Sequence, residues 1–257
     1  MKSFFKKITL LFITISLLSV TASAKSPQCL SWYIKRNGNK TPIFPTGAEE
    51  LKEYNCYFID EECAGRSEHR LYLTFDAGYA NESFKQILDI LKEENVPAAF
   101  FLLDNIILKN TDLVNRLEEE GHLVCNHTKN HKNLSFSSKQ EIYEDLSALE
   151  NIYREKTGKE MTKYFRFPEG KYSHEAIKSV SELGYTTVFW SFGYDDWDNS
   201  RQMNPEKAKK KILENTHDGA VILLHPTSKT NATILRNLIH TWRDMGYEFY
   251  SLDDFGK

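Results

Sequence analysis

The feature that most constrains this chain is a series of short apolar runs that do not alternate with polar residues, separated by stretches of helical periodicity. Residues 71–75, 98–103 and 220–224 are apolar along nearly their whole length. A strand with one wet face alternates apolar and polar side chains, whereas a strand covered on both faces does not. Strands are also expected at residues 122–126, 164–167, 185–190 and 247–251, rich in aromatic and β-branched residues. Between the strands lie helices. Phe84, Ile87, Leu88 and Leu91 fall at i, i+3, i+4 and i+7. Residues 111–120 read as a helix stopped by Gly121. Ser138 and Glu141 stand in capping-box spacing ahead of Ile142, Leu146, Leu149 and Tyr153, with Gly158 at the far end. Residues 173–183 close at Gly184, and Asn204 caps a helix with Pro205 at its first position. Residues 231–245 place Ile234, Leu238, Trp242 and Met245 on an inward face. Seven strands alternating with six helices predict an α/β fold with parallel strands. The natural closure is a distorted, incomplete (β/α) barrel of about seven parallel strands, with a doubly wound open sheet as the alternative.

Both ends of the folded unit are suggested by composition. Lys2, Lys6 and Lys7 precede a short apolar stretch at residues 8–20 and the small-residue run Ala22-Ser23-Ala24. That order is a secretory signal peptide over residues 1–24, with an uncleaved anchor as the alternative. Thirteen apolar-rich residues are too few to span a bilayer comfortably, so no stable membrane span is expected after cleavage. The folded part is then exported and acts outside the cytoplasm. Residues 25–69 are polar, with one short helical candidate at 48–54, and read as an extension packed on the main domain at 70–257. A net charge of −3 with no long basic run argues against nucleic acid as a partner. The lysines at 207–211 read as a solvated helix face. Among the four cysteines, Cys56 and Cys63 are spaced closely enough to pair, Cys29 could compete, and Cys125 reads as a buried apolar residue. A monomer is expected, although the sequence leaves the oligomeric state open.

In folds of this class the chemistry sits at the carboxyl ends of the strands. Five expected strand ends carry reactive groups: Asp76 in Thr-Phe-Asp-Ala-Gly-Tyr, His127 and His131, Arg166 in Arg-Phe-Pro-Glu-Gly, Asp196-Trp197, and His225 in Leu-Leu-His-Pro. Taken singly, each has an ordinary explanation as a turn, cap or buried polar residue. Taken together they are the parts of a metal-assisted hydrolase. His127 and His131 offer neutral imidazoles to a divalent first-row metal, which acts as a Lewis acid. Zinc is the first choice, with cobalt, nickel or manganese able to serve. Asp76 can act as general base, held ionised by Arg166. His225 can protonate a departing amine, with Asp196 keeping it protonated, and Trp197 offers a wall for a sugar ring.

At these residues the sequence resembles the polysaccharide deacetylase family, also called carbohydrate esterase family 4, from about Leu71 to Phe255. The resemblance implies hydrolysis of an N-acetyl amide, with Asp76 as base, His127 and His131 as metal ligands, Arg166 orienting the base and His225 as acid. It also implies an oxyanion donor in the backbone amide of Glu169. The substrate-facing set is then Glu169, Trp197 and Tyr79. Two departures stand out: Ala77 replaces a second aspartate that usually binds the metal, and Gly193 stands where many members have an aspartate. The wording around Asp76, with Trp32-Tyr33-Ile34-Lys35-Arg36 and Phe189-Trp190-Ser191, looks like the members that deacetylate muramic acid in spore-cortex peptidoglycan. That implies a peptidoglycan glycan strand as substrate, muramic δ-lactam as the eventual product, and a cell-wall or spore intermembrane location. Alternatives are deacetylation of N-acetylglucosamine or chitooligosaccharides, and a noncatalytic glycan-binding protein.

Overall fold

A computed structural model of the chain describes residues 28–63 and 69–257. The expected signal peptide at residues 1–24 lies outside the described residues. The N-terminal segment contributes β1 (Leu30–Ser31), β2 (Lys35–Asn37), β3 (Lys40–Ile43) and β4 (Cys56–Tyr57). The helical candidate at 48–54 is a 3-10 helix over Glu49–Tyr54. There follow β5 (His69–Ala77), α1 (Glu82–Glu93), β6 (Ala98–Leu102), α2 (Asp104–Lys109), α3 (Thr111–Glu119) and β7 (Leu123–Asn126). The second half runs α4 (Lys139–Thr157), β8 (Tyr164–Phe165), β9 (Lys171–Tyr172), α5 (His174–Glu182), β10 (Thr186–Val188) and β11 (Phe192–Gly193). It closes with α6 (Pro205–Leu213), β12 (Ala220–Leu224), α7 (Lys229–Asp244) and β13 (Tyr247–Phe249).

All seven strands expected from sequence are present, and all pair in parallel. The path of the main sheet is β11-β12-β5-β6-β7-β8-β10-β4, with β13 paired to the start of β5. It is an open half-barrel. Two further strands of this sheet, β4 and β11, were not expected, because each is a two-residue stretch too short to show periodicity. β4 comes from the N-terminal segment and extends the sheet beside β10.

After β4 the chain crosses back to the other side of the sheet. Asp60 N–H donates to Gly219 O at 2.9 Å, and Ile59 bridges Ala220 antiparallel at the foot of β12. Gly219 has φ +70°, and a Cβ there would lie 2.0 Å from Asp60 O, so only glycine permits this approach. Asp60 is buried and accepts hydrogen bonds from the Tyr72 hydroxyl at 2.5 Å and the Cys63 thiol at 3.1 Å.

The helices pack on the sheet through the faces read from sequence. Phe84, Ile87, Leu88 and Leu91 of α1 are fully buried with Leu73, Phe75 and Phe100 in the main core. The capping box of α4 forms between Ser138 and Glu141, and Gly158 ends that helix in the left-handed region. Helix α7 departs from expectation at both ends. It is capped by Ser228 and opens at Lys229, two residues before the expected start at Asn231, and Met245, expected inward, is the C-cap residue and is 46% exposed, one step past the last turn. The lysines of α6 lie on its solvent side, with Ala208 and Ile212 buried. The four cysteines are free thiols: Cys63 is turned onto Asp60, while Cys56 and Cys125 are packed in core clusters. No helix among the described residues is long and apolar enough to cross a membrane.

Candidate active site

The sheet brings five strand ends to one rim, where they line a cavity of about 790 Å³. Asp76, Ala77, Tyr79, His127, His131, Glu169, Trp197 and His225 all border it. Arg166 and Asp196 stand behind that lining and are buried.

Arg166 follows β8 and reaches across the barrel interior beneath Asp76. Its Nη1 donates to Asp76 Oδ1 at 2.7 Å, its Nη2 to Thr74 Oγ1 at 2.9 Å, and its Nε to the Val188 carbonyl at 2.8 Å. The guanidinium also lies 4.1 Å from the centre of the Phe101 ring. Burial opposes the ionised form of Asp76. The Arg166 guanidinium above all, with the His127 and His225 rings beside it, outweighs this and holds the carboxyl below the usual aspartate range. A carboxylate that stays ionised with one oxygen fixed has its other oxygen free to take a proton.

His127 is the first residue past β7. Its Nδ1–H donates to the Arg166 carbonyl at 2.8 Å, which leaves the Nε2 lone pair directed at the cavity, 3.6 Å from Asp76 Oδ2. Burial pushes its pKa down to about 4, so the ring is neutral near pH 7. The His131 ring stands edge-on to it with centroids 5.2 Å apart. The connecting loop is held by Thr128 N–H on Asn126 Oδ1 at 3.0 Å and Lys129 N–H on Asp145 Oδ1 at 2.9 Å. Thr128 and His131 both have positive φ, as does Glu169. Such conformations in non-glycine residues cost free energy and collect at functional sites.

Two imidazoles on one loop suit a divalent cation. Position 77, where the resemblance implies a third protein ligand, carries a methyl group. Among the described residues no cluster of three or more His, Cys, Asp or Glu side chains is arranged to hold a metal. The donor set fits a divalent ion that His127 and His131 would hold.

On the opposite wall His225 follows β12. Its Nδ1–H donates to Asp196 Oδ1 at 2.8 Å and its backbone N–H to Asp196 Oδ2 at 2.7 Å. Asn231, at the start of α7, adds a third hydrogen bond to Asp196 Oδ2 at 2.6 Å. Burial disfavours the imidazolium, but the Asp196 carboxylate more than offsets it, so the His225 pKa stands above the ordinary histidine value. The site thus sets a carboxylate whose pKa is lowered against an imidazole whose pKa is raised, the direction of separation that general acid–base work requires.

The remaining sites expected from sequence lie at the cavity edge. Trp197 is 57% exposed and Tyr79 49% exposed, its hydroxyl accepting from Asn199 Nδ2 at 2.5 Å. Glu169 borders the cavity, and its side chain pairs with Lys171 at 2.5 Å. Gly170 beside it has φ +62°, and a Cβ would meet the Trp190 ring at 2.8 Å. Sequence reasoning missed the clamp on Asp196 by Asn231, the support of Arg166 by Thr74, and the presence of Arg36 on the cavity wall. For Arg36 a signal existed in the Trp-Tyr-Ile-Lys-Arg segment, but nothing in the sequence said where that segment packs.

Fold and site together are those of an amide hydrolase, and comparison with known proteins agrees. The family model for polysaccharide deacetylases matches residues 64–188. The chain is 36% identical to an uncharacterised protein of Geobacillus stearothermophilus, over 93% of this chain and 89% of that one. It is 32% identical to the peptidoglycan-N-acetylmuramic acid deacetylase PdaA of Bacillus subtilis, over 91% of this chain and 88% of PdaA. The solved structure of PdaA, a family 4 carbohydrate esterase, superposes with a TM-score of 0.83 at 31% identity, covering 89% of this chain and 97% of the solved chain. The peptidoglycan-N-acetylglucosamine deacetylase PgdA of Listeria monocytogenes is 32% identical over 76% of this chain but only 41% of its own length. The chain belongs to the polysaccharide deacetylase family, hydrolases that cleave N-acetyl amide bonds.

Proposed function

We propose that the protein is an exported, metal-dependent peptidoglycan deacetylase that removes the acetyl group from N-acetylmuramic acid. The reading further assigns it to spore-cortex synthesis, where the freed amine closes onto the lactyl carboxyl as muramic δ-lactam. Support for the substrate comes from the near full-length likeness to PdaA, in contrast to the partial overlap with PgdA.

The observation that carries the reaction is the pairing of Asp76, bound to buried Arg166, with His225, bound to buried Asp196, across one cavity. Asp76 accepts a proton from the attacking water as its oxygen bonds to the acetyl carbon. The Glu169 backbone amide faces the negative charge that develops on the carbonyl oxygen. His225 delivers its proton to the nitrogen as the carbon–nitrogen bond breaks, because an amine anion is too basic to leave unassisted. Acetate and the free amino sugar result. A divalent ion held by His127 and His131 would supply Lewis acidity at the carbonyl. Trp197 and Tyr79 offer apolar faces to the sugar rings.

Asp76→Ala and His225→Ala test this assignment. Each should lower acetate release by at least about 10²-fold with far-UV circular dichroism unchanged, and full activity in either variant would refute it. Deacetylation of N-acetylglucosamine is the second reading, favoured by PgdA, and product analysis on defined glycans separates the two.

A further inference from the structure

Among the described residues lining the cavity, Arg36 carries the one permanent positive charge, and the hydrolytic scheme gives it no task. It is held there by the β2–β3 hairpin. The register changes between the Lys35–Ile43 and Asn37–Lys40 pairs, so Thr41 and Pro42 together stand opposite Arg36. Proline has no N–H to give the ladder, and a bulge of this kind re-aims the side chains beside it. Arg36 extends over β11, where Nη2 donates to the Gly193 carbonyl at 2.7 Å and the guanidinium lies 5.8 Å from the centre of the Phe192 ring. Gly193 pairs with Leu223, two residues before His225, so the cation is fixed beside the acid half of the site.

The absence of a side chain at Gly193 matters to that cation. A Cβ there would be in contact with the Trp190 ring at 3.4 Å and Leu223 at 3.7 Å, inside the cavity wall. An aspartate would add a negative charge to the same residue whose carbonyl accepts from the Arg36 guanidinium. Glycine withholds this counter-charge, and among the described residues no carboxylate pairs with Arg36. Its remaining N–H donors stay exposed at the cavity mouth.

We propose that Arg36 is a specificity-determining residue that receives a carboxylate carried by the same sugar that loses its acetyl group. The proposal rests on the muramic acid reading above and extends it. In N-acetylmuramic acid the lactyl ether occupies the ring carbon next to the one bearing the acetamide. With the acetamide between Asp76 and His225, the lactyl carboxylate falls at the adjoining rim. N-acetylglucosamine has a hydroxyl at that carbon and offers the guanidinium no charge. A stem peptide turns the lactyl carboxylate into a neutral amide, so the same contact selects strands freed of peptide. Guanidinium and carboxylate match in planar, charge-assisted hydrogen bonds, which makes arginine the suited residue.

The test compares wild type, Arg36→Gln and Gly193→Asp on three substrates: peptide-free glycan strands, the same strands with the lactyl carboxyl converted to methylamide, and chitin oligosaccharides. On the free-carboxylate strands both variants should raise KM by roughly 10–100-fold, the range lost with a hydrogen bond to a charged group, with kcat little changed. On methylamide strands wild type should already show the raised KM, and Arg36→Gln should add nothing. An equal rise on both kinds of strand would mean that Arg36 only braces the hairpin, and would overturn the proposal. So would equal wild-type KM values on carboxylate and methylamide strands, a comparison that needs no variant. Either result leaves the muramic acid reading standing if wild type still deacetylates the strands. Acetate release from chitin oligosaccharides alone would remove both.

Discussion

Replacing Arg166 with methionine removes the cation on which Asp76 depends while keeping an unbranched chain in the same space. Arg166 is fully buried and the Asp76 side chain is 10% exposed, so the pair is shielded from solvent screening. Removing one partner of a buried pair leaves an uncompensated charge, at a cost of about 3–5 kcal/mol. The Thr74 hydroxyl and Val188 carbonyl lose their donor as well, which favours the upper part of that range. At about 2–4 °C per kcal/mol for a chain of this size, the melting temperature should fall by roughly 6–20 °C. Adding Asp76→Asn to Arg166→Met removes the stranded charge, and should recover about 2 kcal/mol or more of the loss. Urea unfolding of the wild type, both single variants and the double variant, with the m-value checked for constancy, measures the cycle. Arg166→Met should also shift the acid limb of kcat/KM. Burial, the largest influence on Asp76, would face less opposition, so its pKa would rise and activity would be lost at higher pH than in wild type. A loss below about 1 kcal/mol, or a double variant no more stable than Arg166→Met, would refute the view that this pair is electrostatically coupled.

Three other perturbations follow from the same geometry. Asp196→Asn removes the charge that raises the His225 pKa; the acid form should then be lost at lower pH, moving the basic limb of the kcat/KM profile down, and an unmoved limb would count against His225 as the acid. Ala77→Asp adds a carboxylate beside the imidazoles of His127 and His131, and should tighten zinc binding in titration calorimetry by at least the roughly 10–100-fold that outer-shell partners contribute; unchanged affinity would place the metal elsewhere. His122 is buried with neither ring nitrogen hydrogen-bonded, and burial pushes its pKa to about 4. Its folded pKa lies below the unfolded one, so its linked stability is intact above pH 6.5 and is lost as pH falls toward 4, by up to about 3 kcal/mol. His122→Phe should abolish that part of the acid sensitivity in unfolding curves taken across this window, and an unchanged pH dependence would disprove it.

Much of the fold was legible because its strands are buried on both faces. Runs such as Ala220–Leu224 can only be central strands of a covered sheet, and Phe84, Ile87, Leu88 and Leu91 report their helix by spacing alone. Elements shorter than one period left no trace. β4 and β11 owe their existence to the edges they meet, and α2 opens without a side-chain cap directly after β6. Met245 obeyed the apolar periodicity, but its helix had already ended. At the site, the order Asp76, His127, Arg166, Asp196, His225 was readable because each follows or ends an expected strand, and strand ends share a rim in this architecture. Their partners were not readable. Asn231 reaches Asp196 across 35 positions of sequence, and Arg36 reaches Gly193 across 157, distances over which a single sequence carries no pairing information.

The most direct test of the account is acetate release, with product mass, from peptide-free glycan strands, intact peptidoglycan and chitin oligosaccharides, each with a divalent metal added or chelated. The account predicts metal-dependent loss of acetyl from the muramic acid residues of the peptide-free strands. Bound metal with no acetate released from any of these glycans would contradict it, and would leave a protein that holds glycans without cutting them.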